Sequence, residues 1–282
     1  MGGELVREKP MEEMKQPPDE DREKPCALCS SSVRDQCFWD RRASSFSEYA
    51  LCTGYAERFL KLMNVDPDWT VLDMACGGGT LAVPLSGKVK EITAVDFSEN
   101  MLRILEKRCG ENGITNVRTI HGRWEDDWGE LGIGRHDVAI ASRSLLADDA
   151  PTSIAKLNAV AGKQVFISTA VGDGPLDRRL FEAVGRVLTR GRDYIYYYNL
   201  LHSMGIHANV AFVREDHENS WETFNDALDA QRWMFSNLTE SEEDRIKDYL
   251  LENLLYTGGL WRLPYERSCR WAVMWWDKEA RD

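Results

Sequence analysis

The chain has 282 residues, 43% of them hydrophobic and 29% charged, and its 35 basic against 47 acidic side chains leave a formal charge of −12. That length buries a sizeable core, while the negative field argues against nucleic acid and anionic membrane surfaces as partners, so a small molecule or a protein is the expected substrate. Seven cysteines, an odd number, with no apolar leader and no stretch able to span a bilayer, lead us to expect a cytoplasmic protein without a disulfide framework.

Residues 1–24 are dominated by Glu, Lys, Asp and Pro with little to anchor them, and they are predicted to be a disordered charged tail. Cys26 and Cys29 then stand at a metal-knuckle spacing, with Cys37 and Cys52 as further thiols. No second close pair completes a ligand set, so these are read as free thiols and no metal is expected. Over 25–66 an apolar pattern at helical spacing (Phe38, Trp39, Ala43, Phe46, Tyr49, Tyr55, Phe59, Met63) predicts one or two amphipathic helices, closed by the turn Asp66-Pro67-Asp68.

Residues 67–175 alternate short apolar runs with helical patterns. Strands are predicted at Val71–Met74, Glu91–Val95, Val117–His121, Asp137–Ala141 and Gln164–Thr169, and helices over about 80–85, 98–109 and 152–160. Ser98 is the expected N-cap of the second helix and Asn112-Gly113 its stop. Such alternation predicts an α/β fold, a Rossmann-like parallel sheet with helices on both faces. The first strand runs into Asp73-Met74-Ala75-Cys76-Gly77-Gly78-Gly79-Thr80, where the glycines permit left-handed turns and close backbone approach to a ligand. The second strand ends in Asp96, well placed to take the two hydroxyls of a ribose.

Beyond residue 175 the regularity ends. Helices are predicted at Leu176–Leu188, Trp221–Phe235 and Glu240–Tyr256, the last opened by Thr239 with Glu242 as a capping box; Tyr194–Met204 reads as helix or strand, and strands fall at Ala208–Val213 and Arg270–Trp276. Residues 176–282 are thus expected to hold the rest of the sheet and a helical insertion before the last strand.

The block Asp73 to Thr80, the acidic strand end Asp96 with Phe97-Ser98-Glu99-Asn100-Met101, and the later Gly122-Arg123-Trp124-Glu125-Asp126 together resemble the class I S-adenosylmethionine-dependent methyltransferases. The resemblance implies a seven-stranded, mostly parallel sheet whose last strand inserts antiparallel. The implied cofactor is S-adenosyl-L-methionine, with S-adenosyl-L-homocysteine as product. Asp73 and the backbone of Met74, Ala75, Gly77 and Gly79 would hold the methionine moiety, Asp96 the ribose, and Phe97, Met101, Gly122, Arg123 and Trp124 the adenine. Trp39 and Tyr49 would close the pocket, and Ser142 and Arg143 would face the donor methyl. The chain departs from the dinucleotide fingerprint in carrying Ala75 where a glycine is usual, and Cys76 has no nearby histidine to make it a nucleophile.

Methyl transfer from a sulfonium needs alignment and water exclusion more than acid or base help. If the acceptor loses a proton, the best candidates for a base are His202, His207 and the tyrosines ending at Tyr198, while Arg143 is suited to an acceptor carboxylate or phosphate, its ordinary alternative being an ion pair with Asp148 or Asp149. The reading is a methyltransferase acting on a small molecule, compatible with a homodimer. The alternative is a noncatalytic module that keeps the fold and binds a protein partner.

Overall fold

Two helices, α1 (Gln36–Cys52) and α2 (Tyr55–Leu60), precede the sheet and are separated by Gly54, whose φ of 64° only glycine adopts freely. These belong to a computed structural model that describes residues 36–144, 149–188, 192–217 and 219–278. The predicted tail and the pair Cys26 and Cys29 lie outside the described residues, as do the side chains of Cys37, Tyr49 and Cys52.

The alternation that follows is β1 (Thr70–Met74), α3 (Ala82–Ser86), β2 (Glu91–Asp96), α4 (Glu99–Glu111), β3 (Val117–His121), β4 (His136–Ser142), α5 (Ala150–Val160) and β5 (Ala161–Ala170). Helix α4 begins where Ser98 accepts the backbone N–H of Met101 at 3.2 Å, and α5 begins on Asp149, which caps Thr152 with Pro151 in the first turn. After β5 come α6 (Arg178–Val184), α7 (Tyr194–Ser203), β6 (Asn209–His217), β7 (Ser220–Trp221), α8 (Phe224–Arg232), α9 (Glu240–Asn253), β8 (Leu255–Thr257), β9 (Leu260–Arg262) and β10 (Arg267–Asp277).

Seven strands form one sheet in the order β3-β2-β1-β4-β5-β10-β6. All neighbours are parallel except β10, which enters antiparallel between β5 and β6, as the resemblance implied. One face carries Val71, Ile92, Val138, Phe166 and Val273 against α2, α3 and α4; the other carries Leu72, Val95, Ala139, Val165 and Met274 against α5 and α7. The adjacent Trp275 and Trp276 fall on opposite faces, the period of two that a strand imposes.

A cap with its own apolar centre packs Leu180 and Val184 of α6 against Ala227, Leu228, Ile246 and Leu250 of α8 and α9. It is less helical than predicted. Helix α9 opens on the predicted Thr239 and Glu242 capping box but stops at Asn253, and residues 255–262 form a hairpin that joins β7 in a three-stranded sheet. Its turn is Gly258-Gly259 with φ of 62° and 83°, the geometry a two-residue hairpin turn requires and glycine supplies without strain. Helix α6 is cut short by Gly185 at φ 82°, and α7 packs under β5 and β10 rather than in the cap. Among the described residues no helix is long and apolar enough to cross a membrane.

Candidate functional site

At the C-terminal ends of β1, β2 and β4, next to the β1–β4 junction where the strand order reverses, the chain makes the turn that the glycines foretold. Ala75, Gly77 and Gly79 hold φ of 57°, 55° and 83°, so even the alanine is forced into the left-handed region. Gly77 N–H donates to Asp96 Oδ2 at 2.8 Å and Ser98 N–H to Asp96 Oδ1 at 2.9 Å. Two backbone donors therefore fix the Asp96 carboxylate beside the turn. Burial raises the Asp96 carboxyl above its ordinary value, and the same backbone donors oppose that shift.

Asp73 differs in kind. It is 2% exposed, its Oδ2 has no hydrogen-bond partner among the described residues, and burial followed by the charge of Asp96 pushes its carboxyl up to about 7. A buried carboxylate with an unused oxygen is costly unless a cation or donor completes it. The Cys76 thiol is pushed well up by burial and then by Asp96 and Asp73, which removes it as a thiolate nucleophile.

On the far side of Asp96, Gly122 N–H donates to Asp96 O at 3.1 Å, and a Cβ on Gly122 would meet Leu131 at 2.6 Å. Arg123 lies 5.6 Å from the Phe97 ring and binds Gln36 of α1. Trp124 packs on Trp128 with its indole N–H buried and unpartnered among the described residues.

Helix α1 roofs the turn. Asp40 accepts the Ser98 hydroxyl at 2.5 Å and, through its carbonyl, Asn100; Arg108 donates to Gly78 O at 2.6 Å and to Ser47 O at 2.7 Å. A Cβ on Gly78 would meet Ser47 Oγ at 2.2 Å and Ser47 Cβ at 2.9 Å, so the sequence needs glycine there for the helix to close. Gly78→Ala is expected to lift α1, read as faster proteolysis within 36–52 while the far-ultraviolet spectrum stays native.

Beside the turn, a buried polar cluster joins the ends of β4, β5, β6 and β10. Arg143, at φ 59°, pairs with Glu215 at 2.9 Å, their side chains 9% and 2% exposed. Glu215 also accepts Trp271 Nε1 at 2.5 Å, and the Arg143 guanidinium lies 4.2 Å from the Tyr55 ring. The Tyr55 hydroxyl sits 2.7 Å from both Ser142 Oγ and Ser168 Oγ. This cluster anchors α2 to the sheet.

Residues 71–162, from the first strand of the sheet into its fifth, match a family described as a methyltransferase domain. The chain belongs to the class I S-adenosylmethionine-dependent methyltransferases. S-adenosyl-L-methionine is its cofactor. An uncharacterized protein of Haemophilus influenzae is 33% identical over 242 residues, 85% of this chain and 88% of that one. A demethylmenaquinone methyltransferase of Geobacillus kaustophilus is 37% identical over 71 residues, 24% of this chain and 30% of that protein. In fold, the methyltransferase resembles the YcgJ protein of Bacillus subtilis (TM-score 0.54, 13% identity, 80% of this chain and 99% of that one). It also resembles an S-adenosylmethionine-dependent methyltransferase of Thiobacillus denitrificans crystallised with S-adenosyl-L-homocysteine (TM-score 0.53, 15% identity, 86% and 97%).

Several residues that the sequence suggested for the methyltransferase's chemistry lie elsewhere. His202 and His207 are exposed neighbours, 5.9 Å apart, where α7 leads into β6. Asn209 pairs with Trp275, and Trp275 with Phe166, so His207 sits about 20 Å below the C-terminal edge at roughly 3.3 Å per residue. They are corrected to surface residues at the opposite end of the sheet. Tyr198 stands on the outer side of α7, whose inner side buries Tyr197 and Leu201, and it too is withdrawn as a catalytic group. Met74 is buried in the core and reaches the turn only through its backbone. Arg143 does not present an open guanidinium to an acceptor, since Glu215, and not Asp149, takes it; Asp148 lies outside the described residues. Ser142 is held by Tyr55, and Met101 packs beneath the turn, its sulfur 3.7 Å from Ser47 Oγ. That Tyr55, Ser168, Glu215 and Trp271 meet in one cluster with Arg143 escaped the sequence reading, because nothing local links residues such as Arg143 and Glu215, seventy-two apart.

Proposed function

We propose that this methyltransferase acts in the cytoplasm on a small-molecule acceptor, enclosed between the N-terminal helices and the cap. The observation that carries this is the contact between those two covers: the Arg42 guanidinium of α1 lies 4.6 Å from the ring of Trp233 in the cap and 5.5 Å from Phe38. Trp39 and Phe46 continue the aromatic wall at edge-to-face distances of 5.2–5.3 Å, and Arg143 reaches Phe46 at 5.7 Å. A partly aromatic wall shared by the two covers suits a small molecule better than a polymer, and the charge of −12 disfavours nucleic acid. The partial likeness to demethylmenaquinone methyltransferases, named for a small acceptor, points the same way.

In this reading Asp73 takes the cationic amino end of the methionine moiety, the N–H groups of the left-handed turn its carboxylate, and Asp96 the ribose hydroxyls. The unused oxygen of Asp73 and the fixed carboxylate of Asp96 are what fit these residues to the cofactor. Phe97 and Arg123 flank the adenine, and the unpartnered Trp124 N–H offers it a donor. When bound, S-adenosyl-L-methionine supplies an electrophilic methyl on a sulfonium whose departure leaves a neutral thioether. The protein's part is to orient and to exclude water, with Asp40 and Arg108 keeping α1 closed over the turn.

The test incubates the protein with methyl-tritiated S-adenosyl-L-methionine and separate small-molecule, protein and RNA fractions of a cell extract. Label is expected in the small-molecule fraction. Label confined to protein or RNA contradicts the proposal, and donor binding without transfer to any fraction favours the noncatalytic module.

A further inference from the structure

Strand β6 ends the seven-stranded sheet and pairs only with β10, in an unbroken register from Asn209 to His217. Arg270 O turns toward β5, where it accepts Val171 N–H, so the odd-numbered residues of β10 turn their main-chain groups toward β6. There Trp271, Val273 and Trp275 meet Val213, Ala211 and Asn209. The N–H and C=O groups of Val210, Phe212 and Arg214 therefore point away from the sheet, because successive residues of a strand alternate in direction. The Arg58 guanidinium of α2 takes Arg214 O. Among the described residues nothing takes the outward groups of Val210 and Phe212.

An edge left open in this way is a template for another strand, and proteins usually block it with a lysine, a proline or a bulge. The stretch Asn209-Val210-Ala211-Phe212-Val213 holds none of these. Its Val210 and Phe212 side chains are instead 39% and 49% exposed, on the face that α7 covers, where the Phe212 ring meets Tyr194 edge-on at 5.2 Å. Ile195 and Tyr198 of α7 are exposed as well.

We infer that β6 is the seam of a homodimer, in which it pairs antiparallel with β6 of a second copy about a two-fold axis at Ala211. Arg58 selects this register. An axis at Phe212 or Val213 would need the Arg214 carbonyl, which is already taken, and an axis at Val210 would run off the strand into Ala208. An axis at Ala211 sets Val210 against Phe212 twice and uses the open groups of both. Each pair joins a β-branched to an aromatic side chain, a favourable cross-strand match. Ala211 then faces its own copy at the non-hydrogen-bonded position, where α-carbons come within about 4.5 Å and a small side chain fits. Charge favours the same meeting place. In a chain of net charge −12 two copies repel over most of their surface, and residues 209–213 carry no charge. With β4, β5 and β10 between β6 and β1, the seam does not depend on which acceptor is methylated.

Sedimentation velocity of the full chain across a micromolar concentration series is expected to show a dimer, its dissociation constant raised about tenfold or more in Phe212→Lys with native circular dichroism retained. Ala211→Cys tests the register without weakening the seam. Opposed α-carbons about 4.5 Å apart lie within the span of a disulfide, so mild oxidation should link two copies well beyond the wild-type yield, and Phe212→Lys in the same chain should abolish the link. A monomer throughout the series overturns the inference, and protected Val210 and Phe212 amides in that monomer would show another segment of the same chain filling the edge. A dimer unmoved by Phe212→Lys, or one that Ala211→Cys fails to link, overturns it equally.

Discussion

Asp73→Asn is expected to weaken S-adenosyl-L-methionine binding and at the same time to stabilise the unliganded protein above neutral pH. Burial holds the Asp73 carboxyl at about 7, against an ordinary value of 3.8. A cationic amino group favours the ionised form, so binding below pH 7 must release a proton from this residue. The wild-type affinity should therefore rise about tenfold per pH unit toward 7 and level off above it. In the asparagine variant that slope disappears. At pH 8 its affinity should fall by about ten- to a hundredfold, the worth of a charge-assisted hydrogen bond. Stability runs the other way. The unfolded chain ionises Asp73 near pH 4 while the folded chain resists, so stability declines between about 4 and 7. About three units of difference correspond to roughly 4 kcal/mol at most. The variant should melt higher than wild type at pH 8 and equally at pH 4, and calorimetry on both proteins at the two pH values checks it.

Arg143→Met is expected to be the most damaging single change to stability. It leaves Glu215, 2% exposed, as a buried charge held, among the described residues, by the Trp271 N–H alone, a situation that typically costs about 3–5 kcal/mol. It also strips the cation from the Tyr55 ring that anchors α2. For a chain of this size the melting temperature should drop by about 10 °C. The double variant Arg143→Met with Glu215→Gln should recover most of the loss, because a neutral amide keeps the tryptophan bond without an unpaired charge. A double variant as unstable as Arg143→Met alone would show that the cluster contributes through packing and not through its ion pair.

Much of the sheet was legible because its signals are local. The central parallel strands are short apolar runs, Ser98 and Thr239 announce their helices, and the glycines at 77 and 79 take the positive φ that the turn demands. The small cap sheet was missed although Gly258-Gly259 is a hairpin signal, because the strands on either side are only three residues long and follow a strong helical pattern. The donor end of the site, from Asp73 to Asp96, could be read because one turn and one strand end bring it together. The rest could not. Arg143 reads as a cation for an acceptor anion, or as a partner of Asp148 or Asp149, until β6 places Glu215 under it, and the pair His202 and His207 reads as a catalytic couple until the register sends it to the opposite edge. Chain order says which residue types are present, and only the β10 insertion between β5 and β6 decides which of them meet.

The most direct test of the account is isothermal titration of the protein with S-adenosyl-L-methionine and S-adenosyl-L-homocysteine, set beside an Asp96→Ala variant that keeps its native circular dichroism. Saturable binding of both ligands by the wild type, and its loss in the variant, is the predicted result. Undiminished binding by Asp96→Ala, or no binding by the wild type up to millimolar ligand, would contradict the placement of the methyl donor at the ends of β1 and β2.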